Sequence, residues 1–238
     1  MSLPVVVLAG GLATRLGPLT ARIPKSLIDV AGRPFVEHQI ELLARHGLHD
    51  VVFCIGHHGD QVEHALGDGS RWGMHFRYVS DGARLRGTGG AALSVLPLAG
   101  PAFFVMYGDS YLDCDYTAIE SAFRNGRHTG LMTVYRNEDR FDRSNVQFED
   151  GRIVVYDKRN RTPAMHHIDY GLGILTEASF EPWADDDDPF DLADVYQHLV
   201  SENGLAGYEV ATRFYEIGSP EGLEDTRALL AARTERTT

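Results

Sequence analysis

Residues 4–11 read Pro-Val-Val-Val-Leu-Ala-Gly-Gly, a short unbroken apolar run closed by two glycines. A run this short and this rich in β-branched residues, with no polar face, suits a strand buried on both sides, as in a parallel sheet covered by helices. The chain beyond it keeps the same rhythm. The pattern predicts helices over 35–46, 59–66 and 89–96, and strands over 51–55, 75–79 and 102–107. This alternation implies an α/β fold: a Rossmann-like, doubly wound, mostly parallel mixed sheet with helices on both faces. Beyond about residue 130 the pattern turns β-rich. Strands are expected over 131–135, 145–148, 153–157, 168–175, 207–210 and 213–217, with helices over 192–200 and 220–232. Glu149-Asp150-Gly151 carries a hairpin signal. The expected organisation is a single domain over 1–238: a first half over 1–130, a smaller β-rich insertion over 131–212, and a returning strand and helix over 213–238.

Such a sheet binds ligands beyond the C-terminal ends of its strands. Three chemically notable segments fall there: 10–25, 87–91 and 108–115. The formal net charge of −12 argues against a duplex-binding protein and against nucleic-acid partners. Cys54 and Cys114 have no metal-finger spacing and read as buried free thiols, in keeping with a reducing cytoplasm. No basic leader and no long apolar span stands out, so the expectation is a cytoplasmic protein without a membrane partner, monomeric or a small homo-oligomer.

The glycines after the first strand let the backbone approach a phosphate closely, and Arg15 adds a fork of donors suited to it. The stretch lacks the Gly-Lys-Ser/Thr ending of a P-loop and the spacing of a dinucleotide fingerprint. Pro24-Lys25 comes soon enough afterwards to keep an ammonium near the same phosphates.

Residues 8–34, LAGGLATRLGPLTARIPKSLIDVAGRP, resemble the signature of sugar-1-phosphate nucleotidyltransferases, LAGG-x-GTRL-x-PLT…PK-x-L…V-x-G-x-P. Ala13 stands where that family usually has glycine. The resemblance implies nucleotide contacts from Leu8, Ala9, Gly10, Gly11, Leu12, Ala13, Thr14, Arg15 and Lys25. Arg86-Gly87-Thr88-Gly89-Gly90-Ala91 looks like the family's base-recognition loop, which brings in Arg86, Thr88 and Gly89. There, small residues would let the base lie against backbone, and main-chain groups would read its edge. Tyr107-Gly108-Asp109 is similar to the segment whose aspartate binds catalytic Mg²⁺, and Gly108 adjoins the nucleotide. Phe214-Tyr215-Glu216-Ile217-Gly218-Ser219-Pro220-Glu221 resembles the late segment carrying a second metal carboxylate, with Glu216 in place of aspartate. Asp157-Lys158 resembles a Glu-Lys pair that meets the acceptor phosphate, and Tyr170-Gly171 occupies the place of a sugar-lining strand. Asn145, Asp169 and Asp191 are the further candidates for sugar contact, with an N-cap role equally open for Asp191.

What the resemblance implies is transfer of a nucleoside monophosphate from an NTP to a sugar 1-phosphate, with Mg²⁺ as cofactor and Arg15, Lys25 and Asp109 as the catalytic set. It makes 1–130 the nucleotide-binding half and 131–212 the sugar-phosphate-binding half. The chain's shortness, the lack of a hexapeptide-repeat domain and the Gly-Thr-Gly-Gly-Ala loop favour guanylyl transfer to a heptose or mannose 1-phosphate. Cytidylyl or uridylyl transfer to another phosphorylated acceptor is the alternative. A silent nucleotide-sugar-binding homologue is another, motivated by Ala13 and Glu216. Asp113-Cys114-Asp115 has the spacing of a glycosyltransferase metal motif, but Asp109 explains a metal better. The pairs His57-His58 and His166-His167 read as loop histidines, and residues 185–188 as a solvated acidic loop.

Overall fold

The computed structural model describes residues 2–11, 16, 17, 20, 22–82, 85–184 and 188–235, the side chains of 234 and 235 excepted. Strand β1 (Val5–Ala9) leads through the site loop to a two-residue hairpin, β2 (Asp29–Val30) and β3 (Arg33–Pro34). Helix α1 (Phe35–Arg45) comes next, then β4 (Asp50–Ile55), α2 (Gly59–Leu66), β5 (His75–Ser80), α3 (Gly87–Ser94), α4 (Leu96–Ala99) and β6 (Ala102–Tyr107). After these are β7 (Ser110–Tyr111), α5 (Tyr116–Asn125), β8 (Gly130–Arg136), β9 (Val146–Glu149), β10 (Arg152–Tyr156) and β11 (His167–Thr176). The chain closes with α6 (Leu192–Ser201), β12 (Leu205–Val210), β13 (Tyr215–Glu216) and α7 (Pro220–Glu235).

Among the described residues nine strands form one sheet, in the order β5-β4-β1-β6-β11-β8-β12-β10-β9. Strands β5, β4, β1 and β6 are mutually parallel, and β8 is parallel to β12. Antiparallel β11 joins β6 to β8, so the β-rich second half continues the first sheet. Alternate strand residues pack on opposite faces, which is why these strands are apolar throughout. Val5, Val7, Phe53, Phe104 and Met106 meet α1, α2 and α5 through Ile40, Leu43, Val62 and Ile119. Val6, Leu8, Val52, Phe103 and Val105 meet α3 and α6 through Ala92, Val195 and Leu199. Helix α7 packs separately, placing Leu223 and Leu230 on Val30, Phe35, Tyr111 and Ile217.

Local signals explain several boundaries. Helix α1 stops at Gly47, whose φ of +72° only glycine adopts freely. Asp150 and Gly151, at φ +49° and +79°, form the predicted turn between β9 and β10. Two expectations change. Residues 213–217 give only the two-residue β13, which pairs with β7 rather than with the main sheet. Helix α5 is an addition to the expected elements; Asp115 caps it by accepting from Ala118 N–H at 2.9 Å.

The topology gathers the loops that matter on one edge. The C-terminal ends of β1, β6, β8 and β12 lie there, together with the N-terminal end of β11, which runs the other way. The β11–β8 register shifts between Asp169 and Gly173, and Gly171 inside this bulge has φ +93°. Since Leu172 pairs with Met106, the bulge brings residues 169–171 beside 107–109.

Candidate active site

A cavity of about 240 Å³ opens at the switch point between β1 and β6. Leu8, Ala9, Gly10, Gly11, Lys25, Gly108 and Asp109, all candidate nucleotide contacts in the sequence, line it. Leu12, Ala13, Thr14 and Arg15 lie outside the described residues. Glycine at 108 answers a close approach: a Cβ there would stand 2.9 Å from the Cβ of Ala9.

The loop at the start of α3 packs closely on Phe190. A Cβ on Gly89 would lie 2.3 Å from the Phe190 ring, and one on Gly87 would lie 2.3 Å from the Phe190 carbonyl oxygen. The Gly89 N–H already donates to that carbonyl at 3.0 Å. These two glycines admit Phe190; Gly87 also lines the cavity, with Thr88 and Ala91, while Gly89 does not. Arg86 is exposed at the helix start, outside the wall, and its carbonyl accepts from Phe190 N–H. Thr88 does line the cavity, but its hydroxyl accepts from Leu192 N–H at 2.9 Å and reaches Asp191 at 3.4 Å.

Asp191, a candidate sugar contact in the sequence, lines this first cavity and not the larger one described below. It is also the N-cap of α6, in a capping box with Asp194, whose carboxylate accepts from Asp191 N–H at 3.0 Å.

Motif reasoning misses Ser26 and Asp81. Ser26 is 3% exposed, lines the cavity and has a buried hydroxyl without a partner among the described residues. Asp81 lines it from the end of β5, and burial raises its pKa against the lowering effect of Arg86. A carboxylate just past a strand end is a usable signal for Asp81; nothing local marks Ser26. Cys54 is in the wall as well, its thiol pushed far above the usual range by burial.

At the floor, Lys25 Nζ lies 2.8 Å from Asp109 Oδ2. Lys25 is held by a 3₁₀ turn that begins after Pro24. The β7–β13 ladder pairs Glu216 with Ser110, and Ile217 N–H donates to the Asp109 carbonyl at 2.9 Å. This brings together two carboxylates that lie 107 residues apart in the sequence. A methyl carbon on Gly218 would lie 2.6 Å from Glu216 Oε2, 3.0 Å from Asp109 Oδ2 and 3.4 Å from Lys25 Nζ. Glu216 is oriented by Gly218 N–H and by the Ser219 hydroxyl, the latter at 2.6 Å. Asp109 and Glu216 could hold a divalent cation over Gly218. No cluster of three or more potential ligands occurs among the described residues. The Asp113-Cys114-Asp115 segment is committed elsewhere: Asp113 pairs with Arg233 at 2.5 Å, and Asp115 caps α5.

A second cavity, about 620 Å³, adjoins the first and shares Tyr107 and Asp109 with it. Asn145, Asp157, Lys158, Asp169, Tyr170, Gly171 and Glu216 line it. Lys158 Nζ lies 3.6 Å from Asp169 Oδ2, 3.4 Å from the Tyr107 hydroxyl, and over the Tyr107 and Tyr156 rings. Burial alone would lower its pKa; the Tyr107 hydroxyl and the Asp169 carboxylate outweigh that and raise it. The Asp169 side chain is only 5% exposed and also accepts from the Tyr156 hydroxyl and Gly171 N–H, each at 3.0 Å. Its carboxylate therefore fixes Lys158 at the cavity wall. Asn145 Oδ1 accepts from Asp169 N–H at 2.9 Å. Asp157 spends its carboxylate on its own turn, accepting from the backbone of Arg159 and Asn160. Tyr170 is a core residue, 2% exposed, edge-on to Phe214.

Residues 4–155 match the family model described as nucleotidyl transferase. A glucose-1-phosphate thymidylyltransferase of Streptomyces antibioticus is 30% identical over 210 residues, covering 84% of this chain and 57% of its own length. An N-acetylmuramate alpha-1-phosphate uridylyltransferase of Neisseria meningitidis is 39% identical over 114 residues, 48% of this chain and 49% of its own length. The chain thus spans about half the length of these curated relatives. Among solved structures, the inositol-1-phosphate CTP transferase of T. maritima shares the fold, with a TM-score of 0.79 at 21% identity over 95% of each chain. Among the described residues no helix is long and apolar enough to cross a membrane.

Proposed function

This chain belongs to the nucleotidyl transferase family, and from that premise we propose that it joins a nucleoside monophosphate from an NTP to a sugar 1-phosphate, releasing pyrophosphate. The observation that carries this reading is the meeting of two cavities at Tyr107 and Asp109, with Lys25 on one side and Lys158 on the other. The acceptor phosphate is ionised near neutral pH, so the reaction needs no strong base. It needs two anions brought into line, which is a task for positioned cations. Lys158, fixed by Asp169 and the two tyrosines, holds the acceptor phosphate. Lys25 meets the α-phosphate, and the Ser26 hydroxyl offers a donor on the same side. The role of Arg15 rests on the sequence resemblance.

The donor set at Gly218 fits Mg²⁺: two carboxylates suit a hard cation that completes its shell with phosphate oxygens and water. Bound there, it would neutralise phosphate charge. Asp109 and Glu216 would hold it, and Gly218 leaves the room.

For the base, Asp81 supports guanine. Guanine presents N1–H and the 2-amino group as adjacent donors on one edge, the pattern a carboxylate accepts with both oxygens. Uracil offers one such donor beside two carbonyl groups. The test is pyrophosphate release with Mg²⁺ and each of four NTPs, against hexose, heptose and amino-sugar 1-phosphates and phosphocholine. GTP is expected to be preferred, and Asp81→Asn should cut that preference by about tenfold. Preference for another NTP would remove the guanylyl assignment and leave the transfer standing. No release with any pair would count against the transfer itself.

A further inference from the structure

We propose that the acceptor carries, besides its 1-phosphate, a second anionic group, which Arg143 and Arg159 recognise at the mouth of the larger cavity. The identity of the acceptor as a sugar 1-phosphate rests on the proposed transfer; the demand for a second negative charge comes from these two residues.

The chain is strongly acidic, and its arginines are widely spent on carboxylates. Arg71 pairs with Glu37, Arg77 with Asp50, Arg213 with Asp225 and Arg161 with Asp139. Arg143 and Arg159 are exceptions. Both are exposed and both line the 620 Å³ cavity. Neither guanidinium has a hydrogen bond or ion pair among the described residues. Each has an aspartate close by in sequence that is already occupied by main chain. Asp142 Oδ1 accepts from Arg143 N–H at 2.6 Å, and Asp157 Oδ1 accepts from Arg159 N–H at 2.7 Å. The acids tie down the turns and leave the guanidinium groups to the cavity.

The two arginines are brought to one place. Asp157 N–H donates to the Asn145 carbonyl at 3.0 Å, joining the segments side by side. Arg143 lies just before that bond on one segment and Arg159 just after it on the other, so both stand on the same rim. The 1-phosphate does not require them, because Lys158 is built in beside Tyr107 and Asp109, where the cavities meet. Neither arginine lines the nucleotide cavity, so the triphosphate does not account for them. Two planar forks at a cavity mouth suit a carboxylate or a second phosphate on the acceptor.

The experiment uses matched acceptors with the full chain, Mg²⁺ and the preferred NTP. Glucose 1-phosphate is compared with glucuronic acid 1-phosphate and with glucose 1,6-bisphosphate. N-acetylglucosamine 1-phosphate is compared with its 3-O-lactyl ether. The inference expects kcat/KM to be about tenfold higher for an anionic member of at least one set. The carboxylates and the bisphosphate tell the two sources of charge apart. The double variant Arg143→Gln, Arg159→Gln should bring the two acceptors of that set to within about twofold of each other, whereas Arg152→Gln, outside both cavities, should not. Turnover with only the neutral members, or an advantage that survives the double variant, overturns the inference and leaves the transfer reading intact. If no acceptor turns over, calorimetric binding in the presence of nucleotide and Mg²⁺ decides instead. Tighter binding of an anionic member, lost in the double variant, supports the inference, and equal or absent binding ends it.

Discussion

Gly218→Ala tests the centre with the smallest possible perturbation. The φ of Gly218 lies outside the left-handed region, so alanine meets no backbone penalty there and only the methyl group acts. That methyl would sit 2.6 Å from Glu216 Oε2 and 3.0 Å from Asp109 Oδ2, where ordinary contact begins at 3.4 Å. Glu216 cannot retreat freely, because Gly218 N–H and the Ser219 hydroxyl hold its two oxygens. The methyl therefore fills the point shared by two carboxylates and an ammonium, or displaces one of them by most of an ångström. Misplacement on that scale costs about 100-fold in rate, about 2.7 kcal/mol of barrier. The assay is initial-rate pyrophosphate release across a Mg²⁺ titration, with a thermal melt to establish that the variant is folded. A lowered kcat with a shifted Mg²⁺ requirement is expected, while nucleotide binding without metal should be close to normal. A folded Gly218→Ala enzyme with unchanged kcat and unchanged Mg²⁺ dependence would refute the assignment of this point to the reaction.

Lys158→Met should raise the acceptor KM at least tenfold with little change in the NTP KM, as read from steady-state kinetics with each substrate varied. Gly89→Ala drives a methyl into the Phe190 ring and should destabilise the fold by roughly 1–3 kcal/mol in urea unfolding; an unchanged midpoint would show that this contact relaxes freely. Burial would raise the pKa of Asp113, but the hydrogen bond and charge of Arg233 hold it below the ordinary carboxylate value. A depressed folded-state pKa gives stability that is present above the unfolded value and lost as pH falls through the folded one. Melting temperature should therefore drop on acidification through that window, and Asp113→Asn should flatten the drop.

Features set by neighbouring residues are legible in the sequence. The apolar β-strands announce burial on two faces because every residue in them must pack. Asp150-Gly151 announces its turn because both residues sit at positive φ. Tyr107-Gly108-Asp109 and Glu216-Ile217-Gly218 each have a local shape, and the small β7–β13 ladder brings them together. What depends on distant partners is not legible. The glycines of 87–90 look like a ligand-binding loop, but two of them are demanded by Phe190, about a hundred residues later. Asp191 looks like an acceptor contact, while the bond between Thr88 and Leu192 places it on the smaller cavity. Asp169 resembles a hydroxyl-binding residue, but its near-complete burial makes it the support for Lys158. Helix α5 is hard to read because the aspartates before it suggest a metal motif instead of a cap.

The late arrival of Glu216 and Gly218 sets an order for assembly on the ribosome. Strands β1, β4, β5 and β6 are all synthesised by residue 107, and most of the larger cavity's wall is complete by residue 171. The two-residue ladder that completes the centre needs residues 215–218, which emerge several seconds later at about 5–20 residues per second. Until residues 215–218 are in place the chain holds only Asp109 of its carboxylate pair, so the metal-binding half of the centre is the last part of it to be built.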